Sequence, residues 1–411
     1  MAEAFALRCL GCGREYPAWS VDYFCPHCGF PGGSLEIVYD LDAPPHPFPN
    51  HANFSLWRYE ALLPVNLRFA PPLRAGSTPL YAAPQLAKAL GVRILWLKDD
   101  TLQPTSSCKD RGTAVAVAAA RKLGRHGLCC ASTGNAAASL AGFAAASAMP
   151  TYIFVPKTAP LPKIAQLQAF GARVFRVDGT YEQAFSLALA ASDKFGWYNR
   201  SDGLNPMVVE GNKTVSFEIW EELGDVPDAV VVAVGDGAVI AGVCKGFLEL
   251  AQAGLVKRVP KVFGVQAAGA APLAQAFHRF RGGKPLLPAE GPATTIADSI
   301  CVGKPAAVVP AVKYVAKTHG DYVTVNDAEL IAASLELARK AGIFAEPSGA
   351  APLAGLRRLL EEGLVSQNDR VVLIITGSGL KAPQAVLGHL PEPPIIPPDI
   401  QDLSEVIKAC S

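Results

Sequence analysis

The chain has few charged residues and no long apolar run, and both features limit the classes of protein to which it can belong. Only 18% of its 411 residues are charged, and the formal net charge is +1. Such a balance does not provide the basic surface that nucleic-acid binding requires, so we expect small molecules as partners rather than nucleic acid. No stretch of about 18 uninterrupted apolar residues is present, so no membrane association is expected. Half of the residues are hydrophobic, which is enough for a large core with more than one lobe.

A signal peptide and a disulfide framework are also missing. Glu3 and Arg8 interrupt the N-terminal residues, which lack an apolar core, and we therefore expect a cytoplasmic protein. Ten cysteines in a chain of this length are too sparse for a secreted disulfide scaffold.

Two Cys-x-x-Cys pairs near the N-terminus predict a metal site. They are Cys9 with Cys12 and Cys25 with Cys28, and a glycine follows each pair. Four thiolates at this spacing close a tetrahedral zinc site, which is structural because no coordination position stays open. Unligated thiols are the alternative, whereas a redox role fits two such pairs less well. We expect residues 1–40 to form a zinc ribbon that docks onto its own chain.

Proline-rich segments divide the rest of the chain. The segment from Asp42 to Pro49 is rich in proline, and residues 41–75 are expected to form a linker. We expect the main domain over residues 76–390, with a smaller lobe at about 101–205, and a C-terminal tail over residues 391–411.

Short apolar runs rich in β-branched residues alternate with alanine-rich stretches. The runs cover residues 92–97, 151–155, 173–177, 229–234, 262–265 and 370–375. Strands that alternate with helices in this way predict an α/β protein with mostly parallel sheets. Ligands of such proteins lie beyond the carboxyl ends of the strands, where loops lead into helices.

The segment Pro104–Gly112 places one lysine in a polar bend ahead of an alanine-rich helix. Lys109 can form a Schiff base with an aldehyde cofactor if the pKa of its amine is lowered. Arg111 and the following helix N-terminus are expected to supply a field that lowers this pKa. Lys109 is therefore the candidate anchor for pyridoxal phosphate.

A second loop offers groups that suit an anion. Ser132 and Thr133 precede Gly134 and Asn135 at the start of a predicted helix. Their hydroxyls and the N–H groups of the helix end suit a substrate carboxylate, although an ordinary helix cap is the alternative.

Two further loops follow predicted strands. One consists of small residues whose backbone N–H groups can close around a phosphate, unless it is only a tight turn. Its residues are Gly235, Asp236, Gly237, Ala238 and Val239. The Asp236 side chain is expected to point away from the anion, because a carboxylate would repel it. In the other loop, the Thr376 hydroxyl is placed to face the ring nitrogen of the cofactor.

These loops, in this order, resemble those of threonine synthase and its paralogues among the fold type II pyridoxal-phosphate enzymes. The resemblance extends from about residue 76 to residue 381 and includes the runs 209–214, 297–300 and 345–351. It implies a two-lobed, tryptophan synthase β-like α/β fold with parallel sheets flanked by helices. The N-terminal zinc ribbon is similar to that of some relatives.

The resemblance also implies an activity and a role for each loop. Lys109 would carry the cofactor and shuttle protons, Asn135 would bond the phenolic oxygen, residues 235–239 would bind the phosphate, and Thr376 would meet the pyridine nitrogen. The implied lyase joins its amino-acid substrate to the cofactor as a Schiff base and removes the Cα proton. It thereby converts O-phosphohomoserine and water to threonine and phosphate. Relatives are often dimers, so a homodimer is one expectation.

Four positions depart from the family pattern. Cys108 replaces a phenylalanine, Ala136 replaces a threonine, Asp236 replaces an asparagine, and Val208 replaces an arginine that helps to bind the substrate phosphate. Loss of one charge-assisted contact weakens binding about ten- to a hundredfold unless another cation compensates. The candidate cations, among which the sequence does not choose, are Lys157, Lys163 and Arg200.

Two other functions therefore stay open at this point. Val208 and Ala136 favour a dehydratase or β-replacement enzyme that acts on an unphosphorylated amino acid. A non-catalytic cofactor-binding paralogue or zinc-dependent interaction protein is the third reading, and the joint presence of Lys109, Asn135 and Thr376 argues against it.

Overall fold

The computed structural model describes residues 5–41, 48–286 and 288–398, together with residues 400, 403 and 407. Most of the predicted proline-rich connector, residues 42–47, lies outside this part, as does most of the chain beyond residue 398. Among the described residues, none of the helices combines the length and apolar content needed to cross a membrane.

Within the residues that the structure describes, thirteen strands form three separate sheets. In chain order they are β1 (Phe5–Cys9), β2 (Glu15–Pro17), β3 (Leu35–Tyr39), β4 (Leu80–Ala82), β5 (Ile94–Asp99), β6 (Leu128–Ala131), β7 (Thr151–Pro156), β8 (Arg173–Val177), β9 (Tyr198–Asn199), β10 (Ala229–Ala233), β11 (Lys261–Ala267), β12 (Tyr322–Val325) and β13 (Arg370–Ile375). The N-terminal sheet is antiparallel with the order β2-β1-β3. The largest sheet has the order β12-β11-β10-β13-β5-β4, and the remaining sheet has the order β8-β7-β6-β9.

Helices alternate with the strands of the two larger sheets. They are α1 (Pro84–Leu90), α2 (Lys109–Lys122), α3 (Asn135–Ala146), α4 (Leu161–Ala169), α5 (Tyr181–Phe195), α6 (Pro206–Leu223), α7 (Ala238–Gln252), α8 (Pro272–Arg281), α9 (Val308–Lys317), α10 (Asp327–Ala341), α11 (Pro347–Glu361) and α12 (Gln384–Leu387). Short 3₁₀ helices lie between them, and two, Leu56–Leu62 and Leu67–Phe69, fall within the predicted linker.

The prediction of an α/β protein with mostly parallel sheets is confirmed. Every strand pair of the four-stranded sheet is parallel, and in the six-stranded sheet only β4 runs antiparallel to its neighbour β5. All five residues of β10 are buried. A strand covered by helices on both faces must be apolar throughout, which is why β10 reads as a continuous valine run.

The N-terminal sheet docks onto the rest of the chain through β3, as expected. The Tyr39 hydroxyl donates to Oε2 of Glu210 at 2.7 Å, and Nζ of Lys245 donates to the Ile37 carbonyl at 2.7 Å. Nζ of Lys213 also lies 2.5 Å from Glu210 and 4.2 Å from the centre of the Tyr39 ring. This buried group of charges therefore joins the N-terminal sheet to α6 and α7.

Candidate functional site

A pocket lies between the two larger sheets. The starts of α2, α3 and α7 and the end of β13 face it. Its lining includes residues from all four of the predicted loops, namely Lys109, Asn135, Gly235, Asp236, Gly237, Ala238, Val239 and Thr376. The fold thus brings together, from distant parts of the chain, the residues singled out as cofactor contacts.

Lys109 is the first residue of α2 and takes part in a short ion pair. Its Nζ lies 2.5 Å from Oδ2 of Asp202, and Oδ1 of Asp202 accepts from the Arg200 guanidinium at 2.8 Å. Burial lowers the pKa of the Lys109 amine more than any other single influence, but the charge and hydrogen bond of Asp202, together with Cys108, outweigh it and the net pKa is raised. The predicted lowering of this pKa is therefore wrong, because no local pattern in the sequence announced Asp202.

Arg111 does not supply the field that was expected of it. Its guanidinium is buried and is bound by two carboxylates, Asp100 at 2.7 Å and Glu218 at 2.6 Å. Thr78 and Thr214 accept further hydrogen bonds from it. Arg111 therefore serves the packing between α2 and α6, and Arg200 is the arginine whose charge opposes protonation of Lys109.

The loop before α7 forms an anion cradle. Gly237 is the N-cap of α7 and has φ = 101°, a left-handed conformation that favours glycine. A Cβ at this position would lie 2.9 Å from the Ala311 Cβ, so the loop also requires glycine for space. Because no side chain caps the helix, the first N–H groups of α7 are left for an anion in the pocket.

Asp236 is turned toward a segment outside this cradle. Its Oδ1 accepts a hydrogen bond from the Ala306 N–H at 2.7 Å, and within the described part of the chain its buried Oδ2 has no partner. Burial, followed by the charge of Asp202, raises the pKa of the Asp236 carboxyl to about 6. This carboxyl therefore changes its charge within the range in which enzymes usually operate.

Asn135 is held from the opposite side of the pocket. Its Nδ2 donates to Oγ of Ser299 at 3.0 Å and to Oε1 of Glu346 at 2.8 Å. Burial raises the pKa of the Glu346 carboxyl, although its hydrogen bonds with Ser299 and Asn135 oppose the rise. Near the pocket floor, the Thr376 carbonyl accepts from the Cys108 N–H at 2.8 Å, which ties the end of β13 to the start of α2.

Three other residues of the sequence analysis, Ser132, Thr133 and Val208, are not part of the pocket lining. Ser132 and Thr133 form the turn before α3, where Oγ of Ser132 accepts from the Gly134 N–H at 3.2 Å, but the pocket lining starts at Asn135. Val208 is fully buried, and a Cβ added to Gly112 would lie 2.7 Å from its Cγ1. Val208 thus fills the contact between α6 and α2.

Sequence reasoning missed several residues of the site. Asp202 follows the two-residue strand β9, which no apolar run announces. Ser299 and Glu346 lie within the runs 297–300 and 345–351, so a signal for them was present but no role was assigned.

The four N-terminal cysteines come together in the fold. Their sulfur atoms all lie within 4.8 Å of one another, and the Cys9–Cys28 and Cys12–Cys25 pairs are each 3.8 Å apart. Sulfurs bound to zinc at 2.3 Å in a tetrahedron are separated by about 3.8 Å. The cluster therefore has the dimensions of a four-thiolate zinc site.

The pocket also fits the cofactor that the sequence implied. It joins an amine at Lys109, a glycine-lined helix start suited to a phosphate, and the side chains of Asn135 and Thr376. Pyridoxal phosphate requires this combination of an amine, an anion site and ring contacts.

Comparison with known proteins supports the same cofactor. Residues 72–377 match the family described as pyridoxal-phosphate dependent enzyme. The chain is 38% identical to a threonine synthase of Methanocaldococcus jannaschii over 98% of this chain and 99% of the relative. It is 35% identical to a threonine synthase of Methanosarcina acetivorans over 98% of both chains. Among solved structures, threonine deaminase isoform 2 of Solanum lycopersicum is similar with a TM-score of 0.64 and 25% identity, over 86% of this chain and 92% of that one.

Proposed function

The chain belongs to the pyridoxal-phosphate-dependent enzymes and within them to the threonine synthase-like lyases, and from that premise we propose that it converts O-phosphohomoserine and water to threonine and phosphate. The observation that carries the proposal is the convergence of Lys109, Asn135, the cradle before α7 and Thr376 on one pocket. Two relatives that the chain matches over nearly their whole length are threonine synthases, which favours this reaction over that of a dehydratase.

The proposal gives a role to each of the four loops that supply the site. The N–H groups at the start of α7 would bind the phosphate of pyridoxal phosphate, Thr376 would meet its ring nitrogen and Asn135 its phenolic oxygen. Lys109 would hold it covalently. When bound, the cofactor supplies the electron sink that stabilises negative charge at the substrate Cα. Ser132 and Thr133 would bind the substrate carboxylate at the start of α3.

Lys109 is also the proposed proton carrier. Its amine, when free, would take the Cα proton of the substrate and return it at a later step. Positioned proton transfer of this kind contributes about a hundred- to ten-thousandfold in rate. Asp202, itself held by Arg200, keeps the amine oriented toward the pocket when it is free.

We further propose that Cys9, Cys12, Cys25 and Cys28 bind one structural zinc ion. The spacing of their sulfurs supports this, and the four thiolates leave no coordination position for a substrate. The site lies on the N-terminal sheet, which Lys313 also ties to the main body through the Leu10 carbonyl at 2.5 Å.

The reaction is tested by supplying the cofactor-loaded protein with O-phosphohomoserine and, separately, with serine and threonine. Release of phosphate together with formation of threonine supports the proposal. Release of ammonia and a 2-oxo acid from serine or threonine, without turnover of O-phosphohomoserine, would instead identify a dehydratase.

A further inference from the structure

A phosphorylated substrate brings a doubly negative phosphate group into the pocket. The arginine that helps to bind this group in the family pattern is absent from this chain. Val208 occupies that position and is packed against Gly112. Another cation near the mouth of the pocket must then balance the charge. The fold discriminates between the three cations that the sequence left open.

Two of the three candidates are unsuitable. Arg200 is fully buried, and its guanidinium is engaged with Asp202 at 2.8 Å and with Oγ1 of Thr113 at 2.9 Å. Lys157 is exposed and forms an ion pair with Asp178, and neither residue adjoins a residue of the pocket lining.

The third candidate, Lys163, lies where the two lobes face each other. It belongs to the first turn of α4, beside the four-stranded sheet, and its Nζ lies 2.5 Å from Oδ2 of Asp298. Asp298 directly precedes Ser299, which lines the pocket and is bonded by Asn135. A Cβ added to Gly134, in the turn before α3, would lie 3.7 Å from the same Oδ2. The Lys163 amine is therefore held by a residue that adjoins the pocket lining and lies next to the turn proposed to bind the substrate.

We infer that Lys163 binds the phosphate group of the substrate and exchanges Asp298 for it when the substrate enters. The side chains of Lys163 and Asp298 are 31% and 55% exposed, and exposed ion pairs contribute little to stability. Breaking this pair therefore costs little free energy. A phosphate ester carries more negative charge than one carboxylate and offers more acceptor oxygens, which favours it as the partner. This inference rests on the proposed function and names the residue that gives it specificity for a phosphorylated substrate.

The test compares three variants as holoenzymes. Lys163→Gln removes the cation, Asp298→Asn removes its competitor, and Lys157→Gln is the matched control because it removes an exposed, aspartate-paired lysine outside the pocket. We expect Lys163→Gln to raise the KM for O-phosphohomoserine and the inhibition constant of inorganic phosphate about ten- to a hundredfold. We expect Asp298→Asn to leave both constants unchanged or lower, and Lys157→Gln to change neither. An unchanged cofactor absorbance spectrum would show that the pocket itself is intact.

A purely structural pair would give a different pattern. If Lys163 and Asp298 only hold the two lobes together, both variants would weaken phosphate binding alike, and this result would overturn the inference. Unchanged constants in Lys163→Gln would overturn it as well.

The inference and the proposed function can fail separately. If the wild-type holoenzyme does not turn over O-phosphohomoserine, the proposed function fails, and calorimetric titration with inorganic phosphate still decides the role of Lys163. Binding to the wild type that is lost in Lys163→Gln supports an anion site. Equal binding by both proteins, or no binding by the wild type, overturns it.

Discussion

Nζ of Lys109 and Oδ2 of Asp202 lie 2.5 Å apart, with only 16% and 13% of the two side chains exposed. The carboxylate stabilises the ammonium form of the amine and therefore opposes its use as a nucleophile. The same contact fixes the direction in which the amine points. Arg200 holds the other oxygen of Asp202, so the carboxylate has little freedom to move away.

Replacing Asp202 by asparagine should shift the pH dependence of cofactor attachment. The pKa of Lys109 is raised in the folded protein, so the neutral amine becomes available only at high pH, and loss of the aspartate charge lowers that pKa. The measurement is the rate at which pyridoxal phosphate absorbance develops in the apoenzyme as a function of pH. We expect the profile of Asp202→Asn to move to lower pH, and a profile that coincides with that of the wild type would contradict the role assigned to Asp202.

Asp236 should make both stability and cofactor binding depend on pH. Its pKa is raised to about 6, above the ordinary carboxyl value of about 3.9. The folded state therefore retains the proton longer than the unfolded state, and the resulting stability is present at low pH and lost as the pH rises through about 6.

Asp236→Asn removes this charge and should bring two gains at high pH. At about pH 8 we expect a higher melting temperature, because the buried group is no longer charged, and up to about tenfold tighter binding of pyridoxal phosphate, because a negative charge in the loop that carries the cradle is removed. At about pH 4.5 both differences should be clearly smaller, since Asp236 is then protonated in the folded protein. Equal differences at both pH values would show that the charge is not responsible.

Arg111 should be a determinant of stability rather than of chemistry. Arg111→Met would leave buried Asp100 without a cation and Glu218 with Lys98 alone, and breaking such a buried pair typically costs about 3–5 kcal/mol. Urea unfolding should show this loss, whereas Arg111→Lys should lose less because the charge is kept. If Arg111→Met unfolds like the wild type, the buried network does not have this role.

The four-cysteine site should bind metal and stabilise the fold. We expect about one zinc ion per chain by elemental analysis, and none in the double variant Cys9→Ser, Cys12→Ser. That variant should melt at a lower temperature while its folded fraction retains turnover, because the site lies outside the pocket. A purified, untreated protein without zinc would contradict the assignment, and so would loss of turnover in a fully folded variant.

The sequence was sufficient where a single local pattern decided the structure. The runs at 173–177 and 370–375 coincide with β8 and β13. β13 is buried and apolar from its second residue onward, as a covered parallel strand must be. β8 is a largely exposed edge strand, and its valine and phenylalanine residues were the signal for it. The sequence did not predict β9, because this strand has only two residues and is defined by its pairing with β6 in the folded chain.

In the site, too, local patterns could be predicted, whereas features that depend on tertiary packing could not. The loops themselves could be predicted because glycine, hydroxyl and amide residues stand directly after the strands. Which charges face Lys109 depends instead on how α2 packs, and that packing turns Arg111 toward Glu218 and leaves Asp202 beside the amine. The expected homodimer remains a prediction.

The central claim is that pyridoxal phosphate is joined to Lys109, and hydride trapping tests it most directly. The cofactor-loaded protein is reduced with borohydride, digested and mapped by mass spectrometry, with Lys109→Ala as the control. The account predicts one reduced pyridoxal phosphate on the peptide that contains Lys109 and none in the variant. A protein that gains no mass, or that carries the adduct on a different lysine, would contradict it.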